Sequence, residues 1–429
     1  MSTRPAVSNE RARERAALVH LVTRASRLAD PDLLLDELGG LARAAGADVV
    51  VRLVQDRAAP DAATLIGRGK AEELARACDR HAVDLVIFDN ALTPAQARNL
   101  EQFCGRRVID RTELILDIFA RRARTHEGRL QVELAQLQYR LPRLAGSSDA
   151  LSRLGGGIGT RGPGETKLET DRRRIRHRIG ALKADIAEVR RRRAYLRARR
   201  GRSDVPTVAL VGYTNAGKTT LFNRLTGAHA AASDALFVTL DPLMRRVKLP
   251  DARQILVTDT VGFLDRLPHQ LVAAFHATLE EVAEADLLVH VIDAGAPDRE
   301  RRAEAVRDVL VEVGAGRVPV IDVFNKMDLV DPPAAARLAE TYPDAVRISA
   351  AAGDGTDVLV GDIARRLAMD IARVSFELDE TREGDRRLLS ELYRHGRVLS
   401  HVTSDARVSI EAEIPRRLAR RLTRAKVPA

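Results

Sequence analysis

The sequence predicts a multidomain protein of the α/β class. Short apolar runs rich in Val, Ile and Leu alternate with helix-like segments, a pattern typical of parallel sheets. One of these runs leads through a glycine-rich loop into a helix, as in sheets that bind ligands at their carboxyl edge. The length of 429 residues allows two to four domains.

The central domain, residues 204–371, is predicted from the loop GYTNAGKTT at residues 212–220. The loop fits G-x-x-x-x-G-K-[ST] with Gly212, Gly217, Lys218 and Thr219 at the fixed positions, and the β-branched run VPTVALV precedes it. Backbone N–H groups and a helix N-terminus favour anions there, Lys218 reaches the terminal phosphates, and the Thr219 hydroxyl is placed to ligate magnesium. The motif predicts a nucleoside triphosphate site.

Three later segments identify the nucleotide. In ILVTDTVG, Asp259 ends a strand where it can hold magnesium, and Gly262 can offer its N–H to a γ-phosphate. In VIDVFNKMD, the Asp328 carboxylate can accept both N–H groups of the guanine edge, which adenine lacks. Backbone N–H groups of residues 348–350 can meet the guanine oxygen. Each segment alone also suits an ordinary strand and turn, but the ordered set predicts a GTPase.

Two positions decide how hydrolysis would proceed. Thr239, in LFVTLDP, is predicted to close over the γ-phosphate and complete the magnesium shell; the alternative is a threonine in an ordinary strand. Phe263 follows Gly262 where many GTPases carry a glutamine that orients water. We therefore expect slow basal hydrolysis with outside stimulation, unless Phe263 only packs against a neighbouring helix.

The predicted site has three overlapping groups of residues. The catalytic residues are Lys218, Thr239 and Gly262, and the magnesium ligands are Thr219, Thr239 and Asp259. The residues predicted to contact the nucleotide are Gly212, Tyr213, Thr214, Asn215, Ala216, Gly217, Lys218, Thr219, Thr220, Phe237, Val238, Thr239, Leu240, Asp241, Asp259, Thr260, Val261, Gly262, Asn325, Lys326, Met327, Asp328, Ser349, Ala350 and Ala351.

Composition points to a cytoplasmic protein with a polyanionic partner, and we expect this protein to be a monomer. The net charge is +10 and the isoelectric point is about 10.1, while aromatic residues make up 3%, so contacts to phosphate are favoured over base stacking. The two cysteines, Cys78 and Cys104, suit buried small hydrophobes in a reducing cytosol. No apolar run reaches membrane-spanning length, so we expect no stable membrane insertion, which disfavours a membrane-trafficking switch.

The first domain, residues 1–125, is predicted to be a small βαβαβ unit. The predicted strands cover residues 48–54, 85–89 and 107–109, and the predicted helices cover residues 70–82 and 94–104. The segment GRGK at residues 67–70 lacks phosphate-loop spacing, and a second nucleotide site there is left as an alternative.

Residues 126–203 predict an antiparallel helical hairpin. Leucines from Leu130 to Leu144 and apolar residues from Leu168 to Leu196 follow heptad spacing. Between them, GGGIGTRGPGE forms either a mobile tip or a plain connector. Residues 172–202 contain 14 Lys and Arg against 2 Asp and Glu, which favours RNA contact over a solvated charged face. The predicted RNA contacts are Gly157, Arg161, Arg172, Arg173, Arg190, Arg191, Arg192 and Arg193.

A small α+β domain of unclear role is predicted for residues 372–429, where VSFEL and RVSIEAEI alternate like strands. The predicted fold is thus a P-loop GTPase domain with a mixed sheet, preceded by a small α/β domain and an antiparallel helical hairpin, and followed by this α+β domain.

Nearly the whole chain resembles HflX, a family of ribosome-associated GTPases. The resemblance lies in GGGIGTRGPGETKLETDRRRI, VGYTNAGKTTLFNRLTG, LFVTLDP, DTVGFLDRLPH and NKMD, with Lys167 where relatives often have Gln. It implies hydrolysis of Mg-GTP that the large ribosomal subunit stimulates, with the N-terminal domain and hairpin on ribosomal RNA and the glycine tip near the peptidyl-transferase centre. It also implies a role in splitting stalled ribosomes or in subunit maturation, and a hydrophobic residue at the position of Phe263.

One alternative from a different class stays open. The N-terminal half would then be an RNA-remodelling protein that acts independently of GTP, and it would work with the GTPase strands deleted. The resemblance does not decide whether the chain splits translating ribosomes, assembles subunits, or hydrolyses ATP as some relatives do.

Overall fold

The computed structural model describes residues 13–24, 30–144, 163–200, 205–228, 236–237, 243–250, 253–265, 281–369, 371–404, 407–415, 419 and 422. These residues form two compact units. The first holds the described residues up to Val189 together with residues 236–237 and 261–265, and the second holds the other described residues. The domain boundaries given above stay predictions.

The N-terminal domain is built on a four-stranded parallel sheet with the order β2-β1-β3-β4. Its strands are β1 (Glu14–Val22), β2 (Ala47–Asp56), β3 (Leu85–Phe88) and β4 (Arg107–Asp110), and its helices are α1 (Pro31–Ala44), α2 (Arg68–Arg80), α3 (Pro94–Cys104) and α4 (Arg111–Arg122). The predicted α/β class is confirmed. The βαβαβ prediction was incomplete, since it omitted α1, α4 and β1, a central strand whose last seven residues are all buried.

Local sequence signals fix the ends of these helices. The Thr93 hydroxyl oxygen accepts the Gln96 N–H, and the Gln96 side-chain oxygen accepts the Thr93 N–H, so α3 begins in a capping box followed by Pro94. The helix ends at Gly105, which adopts a left-handed φ of 62°. Asp110 caps α4 by accepting from the Glu113 N–H at 3.0 Å. These caps place Asp110 and Arg111 at the carboxyl end of β4.

The predicted helical hairpin consists of α5 (His126–Leu144) and α6 (Pro163–Arg200). Leu130, Leu182 and Ile186 are buried in one cluster, and the half-buried Leu134, Leu137 and Val189 pack against it. Arg178 of α6 donates two hydrogen bonds to the Glu133 carboxylate of α5, at 2.7 and 2.8 Å. An apolar seam and a bidentate ion pair therefore join the two helices.

The predicted GTPase domain contains a six-stranded mixed sheet with the order β10-β9-β8-β5-β7-β6, in which β6 alone runs antiparallel to its neighbour. The strands are β5 (Thr207–Gly212), β6 (Leu243–Lys248), β7 (Gln254–Asp259), β8 (Leu287–Asp293), β9 (Val320–Asn325) and β10 (Val346–Arg347). Described helices are α7 (Lys218–Thr226), α8 (Arg299–Glu312), α9 (Pro332–Thr341) and α10 (Thr356–Met369), with a 3-10 helix at Met327–Leu329.

The C-terminal α+β domain is confirmed as an antiparallel sheet with the order β11-β13-β12. It comprises β11 (Ile371–Asp379), α11 (Glu383–His395), β12 (Arg397–Ser404) and β13 (Arg407–Pro415). Leu392 of α11 shares a buried cluster with Val408 and Ile410 of β13, so the helix packs on one face of the sheet. Among the described residues, no helix combines the length and apolar character that crossing a membrane requires.

Candidate nucleotide-binding site

Most of the predicted site residues lie at one edge of the six-stranded sheet, called the GTPase sheet below. Strands β5, β7, β8, β9 and β10 are parallel members of the sheet, so their carboxyl ends meet there. Gly212, Asp259, Asp293 and Asn325 end four of these strands, and Ser349 follows the fifth. Open α/β sheets bind ligands at this edge, because loops there leave backbone groups and side chains free to converge.

Two glycines of the loop are required by steric space as well as by backbone conformation. Gly212 has a φ of 151°, and a Cβ there would lie 2.2 Å from the Val291 carbonyl oxygen. Gly217 has a φ of 93°, and a Cβ there would lie 2.2 Å from the Asn325 side-chain nitrogen. Only glycine lets the loop pass this close to β8 and to the Asn325 amide.

Lys218 begins α7 and is 6% exposed. Its ammonium donates hydrogen bonds to the carbonyl oxygens of Gly212 at 3.0 Å and Tyr213 at 2.8 Å. Burial lowers the pKa of Lys218 to about 8, and the charge of Asp259 opposes this shift. A cation held by neutral carbonyls in a low-dielectric site gains strongly from a phosphate anion.

Thr219 and Asp259 bring two oxygen atoms together beside the loop. The Thr219 hydroxyl donates to the Asp259 carboxylate at 2.8 Å, and Asp259 is fully buried at the end of β7. The next residue, Thr260, donates its hydroxyl to the Leu210 carbonyl of β5 at 2.7 Å. This bond holds the end of β7 against the strand that leads into the glycine loop.

Asn325 connects the phosphate side of the site to the base side. Its side-chain amide donates to the Ala216 carbonyl in the glycine loop at 2.8 Å. Its side-chain oxygen accepts the Ala350 N–H at 2.9 Å. The residue is 2% exposed, so both bonds are shielded from water.

The predicted base-reading residues surround Asn325. Lys326 has a left-handed φ of 64°, and its ammonium lies 2.8 Å from the Asp293 carboxylate. Asp328 is exposed in the 3-10 helix, and Met327 donates its N–H to the Ile348 carbonyl at 3.1 Å. The Ala350 N–H donates to Asn325 in this structure, and the contact of Ala351 with the nucleotide stays a prediction.

The remaining residues of the glycine loop differ in exposure. Tyr213 is buried, with the Arg302 guanidinium 5.1 Å from its ring centroid. Thr214 and Ala216 are buried, Thr220 is half-buried, and Asn215 is exposed with a φ of 60°. An exposed backbone turn between buried neighbours is suited to wrapping a phosphate chain.

The segments that would sense the γ-phosphate are described only in part. Phe237 is buried, and its ring packs edge to face on Phe119 of α4, with centroids 4.6 Å apart. Its predicted nucleotide contact stays a prediction, and Val238, Thr239, Leu240 and Asp241 lie outside the described residues. Val261, Gly262 and Phe263 are all buried.

The predicted RNA contacts lie on or beside α6. Arg173, Arg191 and Arg192 are exposed, and Arg172 is half-buried. The backbones of Arg190 and Arg193 belong to α6, but their side chains, like Gly157 and Arg161 as a whole, lie outside the described residues.

Sequence reasoning missed two residues of the site. Asp293 pairs with Lys326, and its position after the apolar run LLVHVI was a usable signal, because the other site residues also end apolar strands. Arg302 on α8 packs over Tyr213, and no sequence pattern marks it.

Family models match most of the chain in three consecutive pieces. Residues 33–120 match a family described as GTP-binding GTPase N-terminal, and residues 122–200 match GTP-binding GTPase Middle Region. Residues 207–326 match 50S ribosome-binding GTPase. Among solved structures, a GTP-binding protein from Sulfolobus solfataricus in complex with GDP covers 82% of this chain and 98% of its own, with a TM-score of 0.42 and 24% identity.

Curated relatives match over almost the full length. GTPase HflX from Caldanaerobacter subterraneus subsp. tengcongensis is 46% identical over 414 residues, which cover 96% of this chain and 94% of the relative. GTPase HflX from Escherichia coli (strain K12) is 45% identical over 406 residues, which cover 94% of each chain. These matches and the site agree, and the chain belongs to the HflX family of GTPases, enzymes that hydrolyse GTP.

Proposed function

We propose that this chain is a magnesium-dependent GTPase that binds the large ribosomal subunit and acts in ribosome splitting and rescue or in subunit biogenesis. The observation that carries the proposal is the surface of helix α6. Its residues Leu182, Ile186 and Val189 pack in the seam with α5, while Arg173, Arg174 and Arg176 are exposed. A surface of this kind suits RNA phosphates. The match of residues 207–326 to a family described as 50S ribosome-binding GTPase supports the large ribosomal subunit as the source of this RNA, and a protein that acts on it would work in the cytoplasm.

Magnesium fits the oxygen atoms of the site. The Thr219 hydroxyl and the Asp259 carboxylate, which lie 2.8 Å apart, are the oxygen ligands that magnesium prefers, and Thr239 would complete the set. Thr219, Asp259 and Thr239 would hold the ion, which would supply positive charge against the negative charge that develops during phosphoryl transfer. Lys218 would exchange its two carbonyl partners for the β- and γ-phosphates, which adds a second positive charge beside the bond that breaks.

The step in which water attacks the γ-phosphate would depend on a partner. Phe263 is 2% exposed and has no polar atom, so its side chain cannot orient a water molecule. The buried Gly262 N–H would hold the γ-phosphate. We therefore propose slow basal hydrolysis that speeds up when the large subunit supplies or positions the missing group.

The basic helix gives the ribosome proposal its test. Replacing all four residues 190–193 with glutamine should weaken binding to purified large subunits and the stimulation of GTP hydrolysis together. Basal hydrolysis should stay unchanged, because the nucleotide site lies elsewhere in the chain. Each lost phosphate contact should flatten the log–log salt dependence of binding by about 0.7 to 0.9.

A matched control removes the same charge from another surface. Arg382, Arg386, Arg387 and Arg397 are exposed in the C-terminal domain, and replacing them with glutamine should leave binding close to wild type if α6 makes the contact. Equal weakening by both quadruple variants would reduce the proposal to a general charge effect. Wild-type binding and stimulation by the α6 variant would refute it.

Sedimentation of ribosomes with a non-hydrolysable GTP analogue separates the two roles within the proposal. Splitting predicts conversion of whole ribosomes to subunits, and this should fail when residues 155–164 are shortened even though binding persists. A role in biogenesis predicts binding to immature large subunits without conversion. Remodelling of RNA by a variant that binds no GTP would instead support the GTP-independent alternative.

A further inference from the structure

Arg224 connects the helix of the glycine loop to residues 348–355, the segment between β10 and α10, called the base loop below. It lies in the last turn of α7, which begins at Lys218. Its Nε donates to the Ala350 carbonyl oxygen at 3.4 Å, and its Nη2 donates to the Ala351 carbonyl oxygen at 2.6 Å. One side chain thus holds two consecutive carbonyls of the base loop. The planar fork of a guanidinium suits such a pair of acceptors.

Gly353 leaves room for the guanidinium against the base loop. It has a left-handed φ of 101°, and a Cβ there would lie 3.1 Å from the central carbon of the Arg224 guanidinium. Its N–H donates to the Ser349 carbonyl at 2.7 Å, and its carbonyl accepts the Thr356 hydroxyl at 2.6 Å. The guanidinium therefore lies against a turn that its own hydrogen bonds already close.

The backbone of Ala350 is held on both sides. Its N–H donates to the Asn325 side-chain oxygen at 2.9 Å, and its carbonyl accepts from Arg224. The Ala350 carbonyl and the Ala351 N–H belong to one planar peptide group, in which these two bonds point in opposite directions. Holding the carbonyl toward Arg224 therefore also sets the direction of the Ala351 N–H.

We propose that Arg224 is a positioning residue for base recognition, which holds the Ala350 carbonyl so that the Ala351 N–H points at the oxygen at position 6 of guanine. The proposal is independent of the ribosomal role, and it rests on the predicted contact of the base loop with the nucleotide. A carbonyl that accepts from a cation also polarises its peptide group, which makes the N–H a stronger donor. Adenine carries an amino group at position 6, so two donors would face each other there.

Arg224→Met keeps a long side chain but removes both hydrogen bonds. Affinity for GTP should fall on the order of 3- to 10-fold. Single-turnover hydrolysis at saturating GTP should keep its rate, because the base lies away from the bond that breaks. Arg224→Lys should recover only part of the affinity, since an ammonium lacks the fork that reaches two carbonyls. Arg224 is exposed, so both variants should fold.

Competition binding against a ribose-labelled GDP tests the assignment to one atom of the base. Inosine triphosphate keeps the oxygen at position 6 but lacks the 2-amino group that Asp328 is predicted to read. In 6-thio-GTP, sulfur, a weaker acceptor, replaces that oxygen. In Arg224→Met, the preference for GTP over 6-thio-GTP should shrink, whereas the preference for GTP over inosine triphosphate should stay as in wild type. Such ratios do not depend on the folded fraction, so lost stability cannot produce this pattern.

Arg253→Met is the matched control. Arg253 belongs to the same compact unit and likewise donates to a backbone carbonyl, that of Ala364, at 2.6 Å. Its replacement should leave both nucleotide preferences at their wild-type values. The proposal is overturned if Arg224→Met keeps the full preference for GTP over 6-thio-GTP, or if Arg253→Met reduces that preference equally. Equal binding of the two nucleotides by wild type would exclude the contact with the oxygen, and the proposal with it.

Discussion

The parallel sheet of the N-terminal domain and the mixed sheet of the GTPase domain fill the carboxyl edges of their parallel strands differently. In the N-terminal sheet, the Arg111 guanidinium donates to Asp89 at 2.9 Å and also to Glu37, and all three side chains are buried. Tyr139 of α5 donates to Asp110 at 2.7 Å at the same edge. In the GTPase sheet, a glycine loop takes this position, and the Lys218 ammonium is held by backbone carbonyls.

The difference teaches what makes such an edge a ligand site. Arg111 pairs with carboxylates of its own domain, so the positive charge of its guanidinium is compensated without a ligand. The two hydrogen bonds that the Lys218 ammonium donates go to neutral carbonyl oxygens, so neither of these partners carries a negative charge. Removing the cation should therefore cost stability in the first sheet and function in the second.

The largest effect is expected from Arg111→Met. The change leaves the buried carboxylates of Asp89 and Glu37 without their shared cation, which should destabilise the N-terminal domain by about 3–5 kcal/mol. Urea unfolding measures the loss. The control is Arg107→Met, because Arg107 is 49% exposed and its pairing with Glu113 should be worth less than about 1 kcal/mol. Equal losses in the two variants would contradict the comparison.

Lys218→Ala should act in the opposite way. Removing a cation that stabilises the transition state should slow single-turnover GTP hydrolysis on the order of 10²–10³-fold. Stability should hold or rise, because a buried charge is lost. Lys70→Ala is the matched control, since Lys70 also follows a glycine at a helix start but pairs with Glu73 at 3.0 Å. Normal hydrolysis by the Lys218 variant would remove that residue from the site.

The same contrast predicts a pH dependence of stability in two separate pH windows, with stability rising as pH rises in each. The folded-state pKa of Lys218 is lowered from 10.5 to about 8, so between these values the unfolded chain binds more protons and stability should rise with pH, by roughly 3 kcal/mol at most. Burial alone would raise the pKa of Asp89, but the bonds and charges of His20 and Arg111 outweigh burial and hold it below the usual value. The stability from Asp89 is therefore present above pH ~3.9 and is lost as pH falls.

Urea unfolding across a pH series measures stability in both pH windows. In Lys218→Met, the rise in the free energy of unfolding at alkaline pH should disappear, whereas its loss at acid pH should persist. If stability rises at alkaline pH by the same amount in the variant, another titrating group causes the rise.

The smallest effect concerns base choice. Asp328→Asn replaces a double acceptor with an amide that both donates and accepts, so affinity for GTP should fall by about 2 kcal/mol, roughly 30-fold. Xanthosine triphosphate, which presents the complementary pattern, should compete better than with wild type. Asp331→Asn is the control, because Asp331 caps α9 by accepting the Ala334 N–H at 2.7 Å. An unchanged preference for GTP would exclude Asp328 from base reading.

The GTPase edge could be predicted from sequence because its geometry demands particular residues at fixed spacing. Gly212 and Gly217 face atoms 2.2 Å from where a Cβ would stand, so the motif records a steric constraint. Asn325 ends a strand and Lys218 starts a helix, and the ends of such elements are visible as changes in hydrophobic pattern.

The N-terminal edge could not be predicted in this way. Arg111, Asp89 and Glu37 are far apart in sequence, and their pairing follows from a strand order that places β1 centrally. The run ERAALVHLV suits a helix as well as a strand, and only its pairing with β2 and β3 decides between them. The contact of Phe119 with Phe237 is equally tertiary, since nothing local to either ring requires it.

The Asn325 side chain has a consequence for the thermodynamics of recognition. One amide fastens the loop that would hold phosphates, through Ala216, to the loop that would hold the base, through Ala350. Ordering either loop therefore orders part of the other. The ligand that binds first bears most of the loss of conformational entropy, and the second ligand bears less. Guanosine and pyrophosphate offered as separate molecules should consequently bind with positive cooperativity, each tightening the other, even though they share no covalent bond.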